Sequence, residues 1–148
     1  MKKILSIFVI FLTLSCSSDE ATEIFQDQVS TALGQSTEAN PLKDSSLFFS
    51  DLSYGSAERN TYDIFLPKDG NSIGVVLFFH GGSFLFNDKS DVYNPPYASI
   101  IQNLVDQKVA VVNANYSFLT SSSSNGVLTA LTDGTLVLNH IRSLASSL

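Results

Sequence analysis

The chain has 148 residues, of which 44% are hydrophobic, and a net charge of −6. This length allows one domain at most, and the apolar content, which includes 11 phenylalanines, is typical of a globular core. The negative charge without a basic patch argues against a nucleic-acid-binding protein, and the single cysteine excludes both an internal disulfide framework and a cysteine-rich metal site.

Residues 1–15 have the features of an export signal. They begin Met-Lys-Lys, and the apolar run from Ile4 to Leu14 has the length of a secretory h-region and is short for a membrane span. The lone Cys16 that follows resembles the lipobox of bacterial lipoproteins, in the loose form Leu-Thr-Leu-Ser-Cys. The resemblance implies lipidation of Cys16 and a membrane anchor in the bacterial cell envelope. The alternative is an ordinary signal peptide of a secreted protein, with Cys16 left free.

The next segment, residues 16–46, is rich in small polar and acidic side chains. Such a composition predicts a flexible tether. Ile24, Phe25 and Val29 allow one short helical turn within it. The folded domain is therefore predicted to cover residues 47–148.

Two strands are predicted at the start of this domain. Residues 47–55 form a strand and turn, and residues 61–66 alternate like an edge strand, with Tyr62, Ile64 and Leu66 on one side. The two strands are predicted to pair in antiparallel fashion.

The run Val75–Phe79 consists of five consecutive large apolar residues. A run without a polar face predicts a parallel strand that is covered on both sides. His80–Phe84, with the sequence His-Gly-Gly-Ser-Phe, then breaks the pattern. Paired glycines permit a tight turn whose N–H groups can point at one spot and hold a negative oxygen.

The remaining elements predict a strand–helix–strand unit. A polar loop over 85–94 leads to a helix with Asn94 as its predicted N-cap, Pro95 at its first position and apolar side chains at helical spacing from Tyr97 to Val105, and a buried strand follows over 109–114. A last helix is predicted over 127–145. Its apolar face is predicted to consist of Val127, Ala130, Leu131, Leu138 and Ile141. The fold class is therefore α/β.

The glycine turn and its neighbours resemble a known family. The segment 80–84 after an apolar strand resembles the oxyanion loop of lipase- and carboxylesterase-like α/β-hydrolases. Residues 60–67 are similar to the family's second strand, and Asn87-Asp88-Lys89-Ser90 resembles its Gly-Asp-Lys-x, with asparagine in place of glycine. Residues 109–116 resemble the next strand, after which Ser117 replaces a common arginine. Asp133 occupies the place of an aspartate that is frequent in the following helix.

The resemblance implies a partial α/β-hydrolase fold, namely the first strands and helices of a mostly parallel, three-layer sheet. It implies that Gly82 and Ser83 donate main-chain N–H groups to an oxyanion, that Gly81 shapes the turn and that the His80 side chain braces it. The nucleophilic serine, in Gly-x-Ser-x-Gly, is expected after residue 148, so the nucleophile, acid and base are expected outside the chain. The implied function is the N-terminal portion of a carboxylesterase-like serine hydrolase. Its substrate would be a carboxylic ester, with short acyl esters, acetylated sugars and feruloyl esters all open.

A complete triad within the chain is the alternative for the chemistry. Ser83, Asp106 or Asp133, and His140 occur in the family's order. A polar loop follows Ser83, however, whereas a nucleophile elbow opens a helix, and the second glycine of the motif is absent after Ser83. Because the two histidines lack a His-x-x-x-His spacing, no metal site is predicted, and no cofactor is expected.

Other side chains near the loop are predicted to have structural roles. Tyr116 is predicted to pack beside the loop, and Asp133 either braces neighbouring elements or lies exposed on its helix. Asp88 and Asp91 are predicted to lie in solvent.

The alternative function is a non-catalytic envelope lipoprotein that uses the half-domain for binding. As part of a hydrolase, the strand at residues 75–79 is predicted to keep an unpaired edge, which favours aggregation or loose folding of residues 47–148 unless a partner supplies the missing half, whereas a finished binding module would fold as a stable monomer.

Overall fold

A computed structural model describes residues 18–145, except for residues 38, 43–45, 71 and 121–125. The strands are β1 (Ser46–Ser53), β2 (Thr61–Pro67), β3 (Gly74–Phe79) and β4 (Val109–Ala114), and the helices are α1 (Ser18–Leu33), α2 (Tyr97–Asp106) and α3 (Leu128–Ala145). A short 3-10 helix spans Lys89–Tyr93. None of the described helices is both long enough and apolar enough to cross a membrane. The predicted export signal and Cys16 lie outside the described residues.

The strands form one mixed sheet in the order β1-β2-β4-β3. β1 pairs with β2 in antiparallel fashion, as predicted. β3 and β4 are parallel, with Val76 opposite Val111, and α2 lies between them in the chain. The predicted strand–helix–strand unit is therefore confirmed, and so is the α/β fold class.

β2 is not the edge strand that its alternating pattern predicted. It lies between β1 and β4, and six of its seven residues are buried. Tyr62, Ile64 and Leu66 share one face, as predicted. The opposite face carries the buried Phe65 and Asp63, and the Asp63 carboxylate is polar but paired with a lysine. The polar Asp63 made this face of β2 resemble a solvent-exposed one in the sequence, but the residue is buried in an ion pair.

Helices cover both faces of the sheet. On one face, Val29 of α1 and Val137 of α3 join a core with Ile64 and Val112. On the other face, α2 packs against Phe65, whose ring stacks on Phe48 with centroids 4.6 Å apart. The result is the predicted three-layer arrangement.

α1 contradicts the predicted flexible tether over residues 18–33. Val29 is fully buried, and Phe25 and Leu33 pack on the same core. Gly70 makes room for this contact, because a Cβ atom there would lie 2.5 Å from Cγ of Phe25. The few apolar residues of a polar segment therefore suffice for a helix when they share a face and meet a core, since tertiary packing supplies most of a helix's stability.

β3 is a parallel strand as predicted, but the predicted cover on both sides is wrong. Val75 is 49% exposed and Phe79 is 37% exposed. Among the described residues, β3 pairs only with β4 and forms an edge of the sheet. Its apolar run is typical of an interior strand, and the described chain leaves that surface in solvent.

The helix ends and faces differ from the prediction in two places. α2 begins at Tyr97 with Pro96 at the N-cap position, whereas Asn94 ends the 3-10 helix that lies within the predicted polar loop. α3 buries Ala130 and Ile141, as predicted, together with Asp133 and Val137, which were not predicted to face the core. Leu131 and Leu138 instead point to solvent, because α3 is rotated so that Asp133 faces the sheet.

Candidate active site

The loop after β3 has an unusual backbone. Gly82, Ser83 and Phe84 have φ angles of 122°, 54° and 65°, so three consecutive residues lie in the left-handed region. A Cβ atom on Gly82 would lie 2.1 Å from the carbonyl oxygen of Phe86, so only glycine fits there. The carbonyl of Gly82 itself accepts hydrogen bonds from the N–H groups of Leu85, at 2.9 Å, and Phe86, at 3.3 Å. The turn is therefore closed on itself and holds two side-chain-bearing residues under strain.

This loop borders an open cavity of about 380 Å³. The rest of the wall is largely apolar and includes Phe79, Tyr116 and Leu131. Within the described part of the chain, the N–H groups of Gly82 and Ser83 have no acceptor. Two unused donors beside a cavity are an arrangement that can receive a negative oxygen.

The His80 side chain lies behind the loop and is buried. Its Nδ1 is 2.6 Å from the Gly81 carbonyl oxygen, and its Nε2 is 3.3 Å from Nη2 of Arg59. The ring also stacks on Tyr116 with centroids 4.5 Å apart. Both ring nitrogens therefore face protein groups of the loop and its surroundings.

Tyr116 lies beside the loop, as the sequence predicted. Its hydroxyl donates toward the carbonyl oxygens of His80, at 3.1 Å, and Gly81, at 3.3 Å. Burial raises the pKa of the Tyr116 hydroxyl and outweighs the opposing charge of Arg59. The neutral hydroxyl thus remains a donor to the loop at ordinary pH.

Asp133 braces the segment that follows β4. The carboxylate is buried and accepts a hydrogen bond of 2.7 Å from the backbone N–H of Ser117. The alternative of an exposed helix residue is therefore wrong. Asp133 is thus on the buried side of α3, where Leu131 and Leu138 were predicted to lie.

The alternative triad is not assembled. Nε2 of His140 lies 3.1 Å from the Tyr62 hydroxyl, and Asp133 is bound to the Ser117 backbone. Asp106 lies at the end of α2, which packs on one face of the sheet, whereas α3 with His140 packs on the other. Ser83, the acids and His140 thus belong to separate local structures.

One occurrence of Gly-x-Ser-x-Gly, at residues 70–74, was not recognised from the sequence. It lies before β3, so a strand follows it, whereas a nucleophile elbow opens a helix. The Ser72 hydroxyl donates to the Gly74 carbonyl at 2.8 Å and accepts from the Ala110 N–H at 3.3 Å. The six residues of β3, at about 3.3 Å each, place Ser72 roughly 20 Å from the loop at the other end of the strand.

Arg59 is a site residue that sequence reasoning missed. Its Nε donates to the Tyr116 carbonyl at 3.0 Å, and its Nη2 donates to the Asn87 carbonyl at 3.0 Å. The guanidinium carbon lies 3.7 Å from the ring centroid of Phe118. Arg59 precedes β2 in an irregular turn, where no periodic pattern marks it.

The backbone at Asn87 explains why asparagine can occupy this position, where the family that the chain resembles has glycine. Its φ angle is 79°, a left-handed conformation that asparagine adopts more readily than most side-chain-bearing residues. Replacing glycine by asparagine therefore keeps the path of the backbone.

Lys89 lies at the centre of an ionic cluster in which Lys89 and Asp63 are buried and Asp51 is exposed. Its Nζ is 2.8 Å from Oδ1 of Asp63 and 2.8 Å from Oδ1 of Asp51. Tyr93 donates to Asp63, and Asn113 donates to the Lys89 carbonyl at 2.6 Å. Burial alone would lower the pKa of Lys89, but the hydrogen bonds to Asp51 and Asp63 outweigh it and raise that pKa above 10.5. Lys89 therefore remains a cation and fixes the segment after the loop to β1 and β2.

Asp91 is exposed, as predicted, whereas Asp88 is only partly exposed and has several partners. Asp88 accepts hydrogen bonds from the Ser90 N–H, at 3.0 Å, and from the Asn115 amide, at 2.7 Å, and forms a reciprocal cap of the 3-10 helix with Asp91. Burial opposes ionisation of Asp88, but these hydrogen bonds prevail and lower its pKa below 3.8. Asp88 thus ties the 3-10 helix to the end of β4.

Two known proteins are similar to this chain in sequence over part of its length. No family model matches the chain. A segment of 58 residues is 38% identical to tuliposide B-converting enzyme 1 of Tulipa gesneriana, covering 36% of this chain and 12% of that enzyme. A segment of 82 residues is 34% identical to the gibberellin receptor GID1A of Arabidopsis thaliana, covering 55% of this chain and 22% of the receptor. The chain thus matches less than a quarter of the length of these relatives.

Solved structures show the fold. A protein from Silicibacter sp. assigned as a thioesterase superimposes with a TM-score of 0.55 at 19% identity, over 88% of this chain and 43% of that one. A truncated carbohydrate esterase from gut microbiota also gives 0.55, at 20% identity, over 72% of this chain and 36% of that one. The chain therefore shares its fold with these esterase and thioesterase chains.

Proposed function

We propose that this chain supplies the oxyanion loop of a serine hydrolase that acts on carboxylic esters. Gly82 and Ser83 donate their N–H groups, Gly81 shapes the turn and His80 braces it. One observation carries the proposal: three consecutive left-handed residues hold two unused N–H donors at the edge of an apolar cavity. Strained backbone of this kind is concentrated at functional sites, where the surrounding structure must support it.

The chemistry follows from the position of these donors. When a serine oxygen attacks an ester carbonyl, the carbonyl oxygen becomes negative in the tetrahedral intermediate. Donors that are already fixed need no reorganisation as this charge develops, and each contributes about 2.7–4 kcal/mol to transition-state stabilisation in such holes. The nucleophile, acid and base are assigned to polypeptide outside residues 47–148, because Ser72, Ser83 and His140 each have a separate local setting.

The ester substrate is supported by the kinds of protein that the chain is similar to. They include a carbohydrate esterase and a protein assigned as a thioesterase. Since the chain covers a minor part of each, the reaction of a whole protein and its acyl group remain part of the proposal.

A chimera tests the proposal. Residues 18–148, which include α1 and its contacts with the core, replace the corresponding segment of the carbohydrate esterase, and turnover of a short-chain nitrophenyl ester is measured. We expect activity, and we expect Gly82→Ala to lower kcat by about a hundredfold with little change in KM, since it displaces an oxyanion donor. Gly74→Ala is the matched control, because a Cβ atom there meets no atom within 4 Å.

Two outcomes would contradict the proposal. An active chimera that tolerates Gly82→Ala would show that the loop does not bind the oxyanion. Turnover by the unmodified 148-residue chain that disappears in both Ser83→Ala and His140→Ala would show that the triad lies within the chain.

A second candidate is a non-catalytic binding protein, which the match to a receptor favours. An inactive chimera, together with a monodisperse and cooperatively folded 148-residue chain, would support this function.

The proposed location is the bacterial cell envelope, with residues 1–15 as a lipoprotein-type signal peptide and Cys16 as the lipidated residue. Labelling of cells with a radioactive fatty acid tests it. The label should appear on the wild-type protein and be absent from Cys16→Ala, and equal labelling of both would refute the anchor.

A further inference from the structure

We propose that Arg59 is a positioning residue for the loop, because it fixes the protonated nitrogen of His80 and thereby the direction of the Gly82 N–H. This inference rests on the proposed function for its purpose, although its geometry and its first test do not depend on hydrolysis. Arg59 lies outside the residues that the sequence indicated for the site.

The guanidinium group joins the loop after β3 to the segment after β4. It donates to the Tyr116 and Asn87 carbonyls, as described above, and also to Oδ1 of Asn115 at 3.1 Å. Its Nη1 lies 3.6 Å from the Asp88 carboxylate. The guanidinium is a planar fork whose Nη2 shares its two hydrogens among the Asn87 carbonyl, Oδ1 of Asn115 and Nε2 of His80, and a lysine ammonium on a flexible stem lacks this fixed geometry.

The contact with His80 selects one tautomer. A guanidinium group has donors only, so Nε2 of His80, 3.3 Å from Nη2, has to act as the acceptor. The ring proton then resides on Nδ1, which lies 2.6 Å from the Gly81 carbonyl oxygen and donates to it. The opposite tautomer would set an N–H against the guanidinium and a lone pair against the carbonyl.

The Gly81 carbonyl in turn fixes the donor. The peptide unit between Gly81 and Gly82 is planar and trans, so its C=O and N–H point in opposite directions. The carbonyl is held by His80 on one side and by the Tyr116 hydroxyl, at 3.3 Å, on the other. The Gly82 N–H is therefore directed away from both rings. Arg59 acts on this donor through His80 and is not itself among the described residues that line the cavity.

Nitrogen-15 NMR of the histidine rings in the full chain tests the inference. We expect His80 in the wild type to carry its proton on Nδ1. In Arg59→Met the ratio of this tautomer to the other should fall about tenfold or more, because a hydrogen bond from a charged donor is lost. His140, whose Nε2 faces Tyr62, is the internal control and should keep its signals.

Arg59→Lys separates charge from geometry. It keeps the cation near Asp88 but loses the planar fork, so we expect the tautomer ratio to remain below that of the wild type. This variant decides the question if Arg59→Met does not fold. An unchanged preference for Nδ1–H in a folded Arg59→Met or in Arg59→Lys would overturn the inference.

The chimera provides the functional readout. Arg59→Met should lower kcat without raising KM, because the bound ester is not touched by Arg59. If the chimera itself is inactive, the proposed function fails while the tautomer measurement still decides the role of Arg59. An active chimera in which Arg59→Met changes KM alone would contradict the positioning role.

Discussion

Replacing Lys89 by methionine tests how much the ionic cluster stabilises the fold. Methionine keeps most of the apolar stem and removes the charge. The side chains of Lys89 and Asp63 are 7% and 2% exposed, so the variant leaves a carboxylate buried without its cation. Removing one partner of a buried pair costs about 3–5 kcal/mol. We expect a loss near the lower limit, because Asp63 keeps hydrogen bonds from Tyr93 and from the Asp51 N–H.

Urea unfolding followed by circular dichroism measures this loss. The midpoint should fall with an unchanged slope, and since domains are stable by about 5–15 kcal/mol, the variant should remain folded with a clearly reduced stability. Lys108→Met is the matched control. Lys108 and its partner Asp69 are 46% and 38% exposed, and exposed pairs contribute at most about 1 kcal/mol. Equal losses in the two variants would refute the reasoning, as would a failure of Asp63→Asn to recover part of the loss in the Lys89→Met background.

Three further predictions concern the loop, the pH dependence and the sheet edge. Gly82→Ala should destabilise the chain by about 1–3 kcal/mol in the same urea assay, because its φ of 122° strains an alanine, while Gly74→Ala should stay within about 1 kcal/mol. Burial raises the pKa of Tyr62 from 10.0 to about 12, so its contribution to stability is complete below pH 10 and is lost as the pH rises toward 12. Tyr62→Phe should therefore flatten the fall in unfolding free energy over that range, and an equally steep fall would contradict this origin. Val75→Lys on the exposed edge of β3 should reduce aggregation measured by light scattering, and an unchanged aggregation rate would show that the edge is not the template.

Local patterns predicted the elements around the loop because their signals are strong over short distances. The apolar runs of β3 and β4 and the glycine pair between β3 and α2 could be assigned without knowledge of tertiary contacts. α1 could not, because Phe25 and Val29 stabilise a helix only when they meet the core beside Gly70. The buried face of α3 was misassigned because its leucines are spread around the helix, and the contact of Asp133 with Ser117 selects the face.

The candidate site was predictable in part for a different physical reason. Glycines mark a turn in the sequence, so the loop was found, although its strain at Ser83 and Phe84 was not foreseen. Arg59 and His80 are 21 residues apart and meet only through the packing of two irregular segments. Such a contact leaves no periodic trace in a sequence.

The ionic cluster around Lys89 also helps to fix the register of β2 in the sheet. Asp63 of β2 lies opposite Asn113 of β4, and its carboxylate meets Lys89 on the face that α2 covers. A slip of β2 by one residue would turn Asp63 to the other face, among the apolar side chains beneath α1 and α3, and would move its neighbours Tyr62 and Ile64 in the opposite direction. The ammonium group of Lys89, at the start of the 3-10 helix, thus disfavours a one-residue slip of β2, because that pairing would bury the Asp63 carboxylate without its cation.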